Sequence, residues 1–288
     1  MTIVLRPAIR LLAAGLAGSL AALGGGAAFA QDMPEVSVGD VSVVDVTNAR
    51  TWVVKVTANA AVGPSYWGAS GFGGYGYPSL SFRRADQPAD FESPDDGISF
   101  ALAGGPTWKA GILGQYMAGR YNSQNGLAGT DSVPWGLNLG GYAEFWPVEW
   151  LRTRIDVLHG VKGNYAWSGN VGVDYVRPWN KFTFALGPRM TVGDAAYTDT
   201  YFGVSDHAAS VNPKLTAYDP GGGINTVGAM GSVDYEWDKH WSTVTYVRYD
   251  RLTGSAYDSP IVQNVGSPNQ VTAGLRVSYS FGVNWGQK

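Results

Sequence analysis

The sequence predicts an all-β fold, a transmembrane antiparallel up-and-down β-barrel of about twelve strands, with ten as the alternative count. Three observations carry this. Segment after segment alternates apolar and polar residues with a period of two, the period of side chains on a strand. Tryptophans gather near segment ends, at Trp52, Trp108, Trp135, Trp150, Trp179, Trp237 and Trp241. Full charges sit in mid-segment on the polar face, where a soluble sandwich would have to bury them unpaired at several kcal/mol each. A barrel lumen can hold them, and a closed sheet leaves no edge in hydrocarbon.

Composition agrees. Of 288 residues only 15% are charged, against ~25% in a typical soluble domain, while Gly (40), Tyr (16) and Trp (11) are abundant. Mean hydropathy is −0.08, as alternation gives when apolar and polar faces average out. Net charge −3 and scattered basic residues offer no field for nucleic acid. The absence of cysteine excludes disulfides, thiolate metal sites and thiol catalysis.

In order along the chain, Arg6 and Arg10 precede an apolar stretch from Leu11 to about Leu23, and Ala28-Phe29-Ala30 precedes Gln31-Asp32. This layout predicts a secretory signal peptide over 1–30 and export to a Gram-negative envelope. Residues 31–50 are expected to form a periplasmic segment, and 51–288 the barrel. Trp52, Val54, Val56, Ala58 and Ala60 oppose Lys55, Thr57 and Asn59. Gly63 to Tyr77 is expected to be an exposed loop, Pro78 to Arg84 a short strand, and the Pro-punctuated R-R-A-D-Q-P-A-D-F-E-S-P-D-D-G a loop. A tiny strand near Phe91 would bring the count to twelve.

Gly97–Gly104 and Trp108–Gly119 pair across G-G-P-T. Trp135 to Phe145 and Leu151 to Val157 follow, joined at Pro147-Val148. Next come Val171 to Tyr175 and Phe182 to Met190, turning at Arg177-Pro178-Trp179-Asn180. After a long interruption, Asp194 to Gly222, come Val227 to Trp237 and Trp241 to Arg251. The last strand, Asn269 to Phe281, is the clearest, with Val271, Ala273, Leu275, Val277, Tyr279 and Phe281 on one face. Its length is about the 9–11 residues that a tilted strand needs to cross a bilayer. Val283 and Trp285 keep its parity. Long and short connections alternate, which puts the long ones outside the cell and the short ones in the periplasm.

The inward face is expected to carry Lys55, Lys109, Glu144, Arg152, Arg154, Asp156, Asp174, Arg189, Asp234, Arg248 and Arg276. Basic and acidic groups are read as nearly balanced in number, which suggests pairing across a narrow interior rather than a single-sign selectivity ring. No catalytic constellation is visible. His159, His207 and His240 are far apart in sequence, and Asp194, Asp199 and Asp206 lack calcium-loop spacing. No cofactor or metal is expected, and outer-membrane lipid is the expected surrounding. The loop residues Arg251, Asp258, Ser259 and Pro260 are the candidate loop motif; their plain reading is a capped, stiffened turn.

Three stretches carry a family resemblance: G-P-R-M-T-V-G-D-A-A-Y-T-D-T-Y-F-G-V at 187–204, Y-V-R-Y-D-R-L-T-G-S-A-Y-D-S-P-I-V at 246–262, and G-S-P-N-Q-V-T-A-G-L-R-V-S-Y-S-F at 266–281. In this order the chain resembles the MipA/OmpV family of outer-membrane proteins, back to about Thr51 and including F-E-S-P-D-D-G. The resemblance implies a non-enzymatic outer-membrane barrel. From the founding member it implies a scaffold linking a lytic transglycosylase, a murein hydrolase, to a murein synthase. Other members imply adhesion or stress roles, and a small-solute channel is the alternative reading. Ala195-Ala196-Tyr197 departs from the more acidic run of many relatives.

Overall fold

The computed structural model describes residues 51–85, 89–124 and 126–284. The expected signal peptide, the 31–50 segment and Trp285 lie outside the described residues. Eleven strands form one antiparallel sheet: β1 (Thr51–Pro64), β2 (Phe72–Arg84), β3 (Ile98–Gly104), β4 (Trp108–Met117), β5 (Gly136–Val148), β6 (Leu151–Lys162), β7 (Trp167–Trp179), β8 (Phe182–Gly193), β9 (Gly223–Glu236), β10 (Trp241–Leu252) and β11 (Asn269–Asn284). Strand neighbours follow sequence order and β1 also pairs with β11, so the sheet reads β2-β1-β11-β10 onward to β4-β3, a nearly closed barrel with β2 and β3 at its edges.

The alternation is realised on the wall. In β6, Arg152, Arg154 and Asp156 are buried between more exposed Thr153, Ile155 and Val157. In β5, Asn138, Tyr142 and Glu144 are buried while Leu137, Leu139, Ala143 and Phe145 are exposed. Large apolar side chains therefore cover the outside and charges the inside, the reverse of a soluble protein. Exposed aromatics ring both ends. Trp108, Trp150, Trp179 and Trp237 lie towards the short turns, with Trp135, Trp167 and Phe72 towards the long loops. Such girdles match the headgroup level of a bilayer, where one end of the ring is apolar and the other wet.

Two expectations need correction. The stretch Gly63 to Tyr77 is not all loop. β1 runs to Pro64 and β2 starts at Phe72, pairing Pro64 with Phe72 and Ala58 with Pro78. Pro78 hid this strand because proline cannot donate to a ladder. It is tolerated because β2 is paired on one side only, with β1. The strand expected near Phe91 does not form: residues 89–97 contain no strand, so the described wall has eleven rather than twelve. An odd count leaves the two edge strands, β2 and β3, running the same way, and antiparallel pairing cannot join them. A smaller difference concerns the β7–β8 turn. Trp179 pairs with Phe182, so the bend falls on Asn180-Lys181, with Asn180 at φ 54°, a left-handed conformation that asparagine tolerates.

The expected continuation of the last strand beyond Phe281 is present as far as Asn284, where Val283 pairs with Trp52. At the short-turn end, Asp238 accepts from the backbone N–H groups of His240 (2.7 Å) and Trp241 (2.9 Å). These two donors hold its carboxyl below the ordinary range.

At the opposite end the long connections fold into a lid. It contains α1 (Ala195–Phe202), α2 (Asp206–Val211), α3 (Gly254–Asp258) and α4 (Pro260–Asn264). Asp194 caps α1 by accepting from Tyr197 N–H, and Ser205 caps α2 through Ala208 N–H. Two apolar clusters hold the lid together. Tyr66, Leu127, Val204, Ala208 and Ile261 form one, and Met117, Tyr201, Phe202, Leu252 and Val262 the other. Ile261 is fully buried. Ile261→Ala is expected to weaken the lid by about 2–5 kcal/mol. Limited proteolysis should then cut within 194–222 faster, while the barrel itself still shows its folded gel mobility.

Candidate functional site

The short sequence Ser93-Pro94-Asp95-Asp96 suits a tight turn, with serine first and proline second. Asp96 N–H donates to Ser93 O (3.0 Å), Ser93 N–H to Asp96 Oδ2 (3.0 Å) and Ser93 Oγ to Asp95 Oδ1 (2.6 Å). The turn is not on the surface. β2 descends to the short-turn end at Arg84, whereas β3 begins at Ile98, opposite Gly114 near the long-loop end of β4. Residues 89–97 therefore climb back inside the barrel.

Their four carboxylates meet basic groups of the wall in turn. Lys109 pairs with Asp90 and Lys55 with Glu92 (3.1 Å). Asp95 receives Arg189 Nε (2.7 Å) and Arg248 Nη1 (3.0 Å). Asp96 receives Arg152 Nη2 (2.6 Å), with Arg154 Nε at 3.6 Å. Phe91 adds an apolar anchor, edge-on to Trp146 with ring centroids 6.4 Å apart and 5.5 Å beneath the Arg152 guanidinium.

The wall supports these arginines from behind. Arg152 also holds Glu144 (2.8 Å) and Asp174 (3.0 Å), and it is 1% exposed. Arg189 reaches Asp174 (2.6 Å), Arg154 holds Asp156 (2.8 Å), and Arg248 holds Asp250 (2.6 Å). Charge-assisted pairs of this length are the strong kind of hydrogen bond. Pro188 contributes indirectly. It has no N–H to donate, and the β7–β8 pairing skips Val173 and Asp174. The freed Val173 carbonyl accepts instead from Arg189 Nη1 (3.3 Å). A Cβ on neighbouring Gly187 would lie 1.6 Å from that same carbonyl. Gly187→Ala should thus force β7 at Val173-Asp174 away from β8, at about 1–3 kcal/mol; a thermal melt in detergent measures it.

All eleven inward charges expected from sequence line the lumen. They are not balanced: seven are basic and four acidic. They pair partly with one another on the wall, and the inserted acids together with Asp250 of β10 take up the surplus. Of the candidate loop residues, Asp258, Ser259 and Pro260 lie in the lid and Arg251 at the lid end of β10. Ser259 Oγ donates to Phe202 O (2.6 Å) and caps α4, with Pro260 at its first turn. Arg251 bonds Asn269 Oδ1 (2.9 Å), and Asp258 is exposed. Sequence reasoning missed Asp90, Glu92, Asp95, Asp96 and Arg120. Arg120 sits buried in the lid, donating to Asp131 O (3.3 Å) and Thr200 O (3.4 Å). Burial pulls its guanidinium below the ordinary value, against the fields of Tyr66, Asp131 and Asp199.

Around the inserted segment the lumen keeps a cavity of about 1170 Å³, lined by that segment and by residues of all eleven strands. It is bordered at the short-turn end by Asp238, Lys239 and His240 and reaches up to Tyr66 and Trp67 of the lid. The three histidines lie in different places: His159 against Trp167, His207 in α2, and His240 on the Ser280 carbonyl.

An apolar outer wall, aromatic girdles and a charged interior filled by the chain's own acidic segment define a plugged transmembrane β-barrel. The chain belongs to the MipA family: the model for MltA-interacting protein MipA matches residues 56–281. None of the curated proteins matches it. Among solved structures it is similar to an outer membrane channel from Pseudomonas putida F1, at 11% identity over 86% of this chain and 100% of that one, with a TM-score of 0.42. It is also similar to a Pseudomonas aeruginosa FadL homologue, at 10% identity over 82% and 91% of the chains, with a TM-score of 0.31. Overlays this loose carry no argument about function.

Proposed function

We propose that the chain is a non-enzymatic outer-membrane barrel with a closed lumen, serving as a scaffold for peptidoglycan enzymes. The closure is the observation that supports it. A folded lid covers one end, and an acidic segment fixed by four arginines runs through the bore. A side-chain network of this kind suits a rigid platform better than a free diffusion path. With the lid outward, the short turns Gly105–Thr107, Glu149-Trp150, Asn180-Lys181 and Asp238–His240 would face the periplasm and offer the docking surface. The family's name records an interaction with MltA, and a lytic transglycosylase with a murein synthase is the partner pair we assign to that surface.

The test is crosslinked pull-down of the tagged full chain from envelopes. Recovery of a lytic transglycosylase and a synthase is the expected result, and recovery of neither would contradict scaffolding. The second reading, a small-solute channel, is favoured by the cavity reaching the short-turn end. Steady open levels of the unmodified protein in planar bilayers would select it.

A further inference from the structure

On β1, β2, β10 and β11 the cavity is lined by short side chains, among them Thr57, Ser79, Ser242 and Ser278. Across this part of the wall, strand register sets Asp234, Val244, Arg276, Asn59 and Tyr77 side by side on β9, β10, β11, β1 and β2. Asp234, Arg276, Asn59 and Tyr77 all line the 1170 Å³ cavity.

Arg276 and Asp234 stand out among the eleven inward charges. The other nine are ion-paired. Among the described residues these two make no side-chain hydrogen bond or ion pair, and Arg276 Nε and Asp234 Oδ1 are buried without a partner. Nor do they meet each other. Two strand spacings put their backbones about 9–10 Å apart, and Asp234 lies in the field of Lys55 as well as that of Arg276. Charges withdrawn from water are normally paired. Here two opposite charges are held apart, facing one space. An anion alone would meet the repulsion of Asp234, Glu236 and the inserted Glu92, and a cation alone that of Arg276 and Lys55.

We infer that this chamber binds a small zwitterion carrying a carboxylate and an ammonium, a free amino acid or short unblocked peptide. Arg276 takes the carboxylate, with the Tyr77 and Tyr246 rings within its field, and Asp234 takes the ammonium. A Cβ on Gly274 would sit 2.4 Å from the Tyr246 ring, so that glycine is what lets the ring lie beside Arg276. This inference does not depend on the scaffold reading, since it concerns only the interior.

Trialanine with free termini, its N-acetylated form and its C-terminal amide, titrated calorimetrically into the full chain in detergent, test it. Free trialanine is expected to bind, and each blocked form to bind about tenfold or more weakly, as the loss of one charged contact implies. Arg276→Gln should erase the difference between free and amidated peptide. Asp234→Asn should erase that between free and acetylated peptide. Equal binding of all three peptides to the unmodified protein would overturn the assignment, as would no binding of free trialanine at millimolar concentration. That comparison stands even where a variant fails to assemble. Binding of the acetylated peptide as tight as that of the free one would also overturn it, marking a plain anion site.

Discussion

Arg152→Met is expected to be the most damaging single side-chain change in the barrel. One guanidinium serves Asp96, Glu144 and Asp174, and all four groups are buried or nearly so. Removing it leaves three carboxylates close together without their shared cation. Breaking a buried pair from one side costs about 3–5 kcal/mol, because the remaining charge is left uncompensated. Urea unfolding of the detergent-solubilised protein, followed by tryptophan fluorescence, should show a loss of that size. Arg152→Met combined with Asp96→Asn and Asp174→Asn should recover part of it, because fewer charges are then stranded. A loss below about 1 kcal/mol for the single change would show that the network is not what holds the interior.

The second large effect is on conduction. Asp95→Asn with Asp96→Asn removes the charges by which four wall arginines hold the turn of the inserted segment. Arg152, Arg154, Arg189 and Arg248 then lose their acidic partners on the segment, so the bore beside them becomes more electropositive. The double variant should therefore show steady openings in planar bilayers where the unmodified chain shows none, with preference for anions in a salt gradient. Unchanged closed behaviour, or cation preference, would contradict this.

Much of the wall was legible because each strand faces lipid on one side and charge on the other. Arg152, Arg154 and Asp156 opposite Thr153, Ile155 and Val157 could only alternate as they do. The same logic failed for β2, where Gly73, Gly74 and Gly76 carry no side chain to alternate and Pro78 reads as a break. It failed for the inserted segment too, which touches no lipid and so has no reason to be two-faced. A signal for it did exist. Even with Asp250 counted, seven inward cations against five anions leave a surplus that a narrow interior must neutralise, and the four acids of A-D-F-E-S-P-D-D-G were the nearest supply. The lid helices were short enough to pass as loop, although Asp194 and Ser259-Pro260 are ordinary helix starts.

The central claim, that residues 89–97 run inside the barrel and not along its rim, can be measured directly because the chain has no native cysteine. Ser93 Oγ lies 3.8 Å from Met230 Sδ on the lumen face of β9. With Ser93→Cys and Met230→Cys in the folded protein, a short bis-maleimide is expected to join the two positions within one chain, read by mass spectrometry of the digest. Neither thiol should react with a bulky polymer-maleimide. Free reaction of Cys at position 93 with the bulky reagent, without the crosslink, would place the segment outside the lumen and contradict the account.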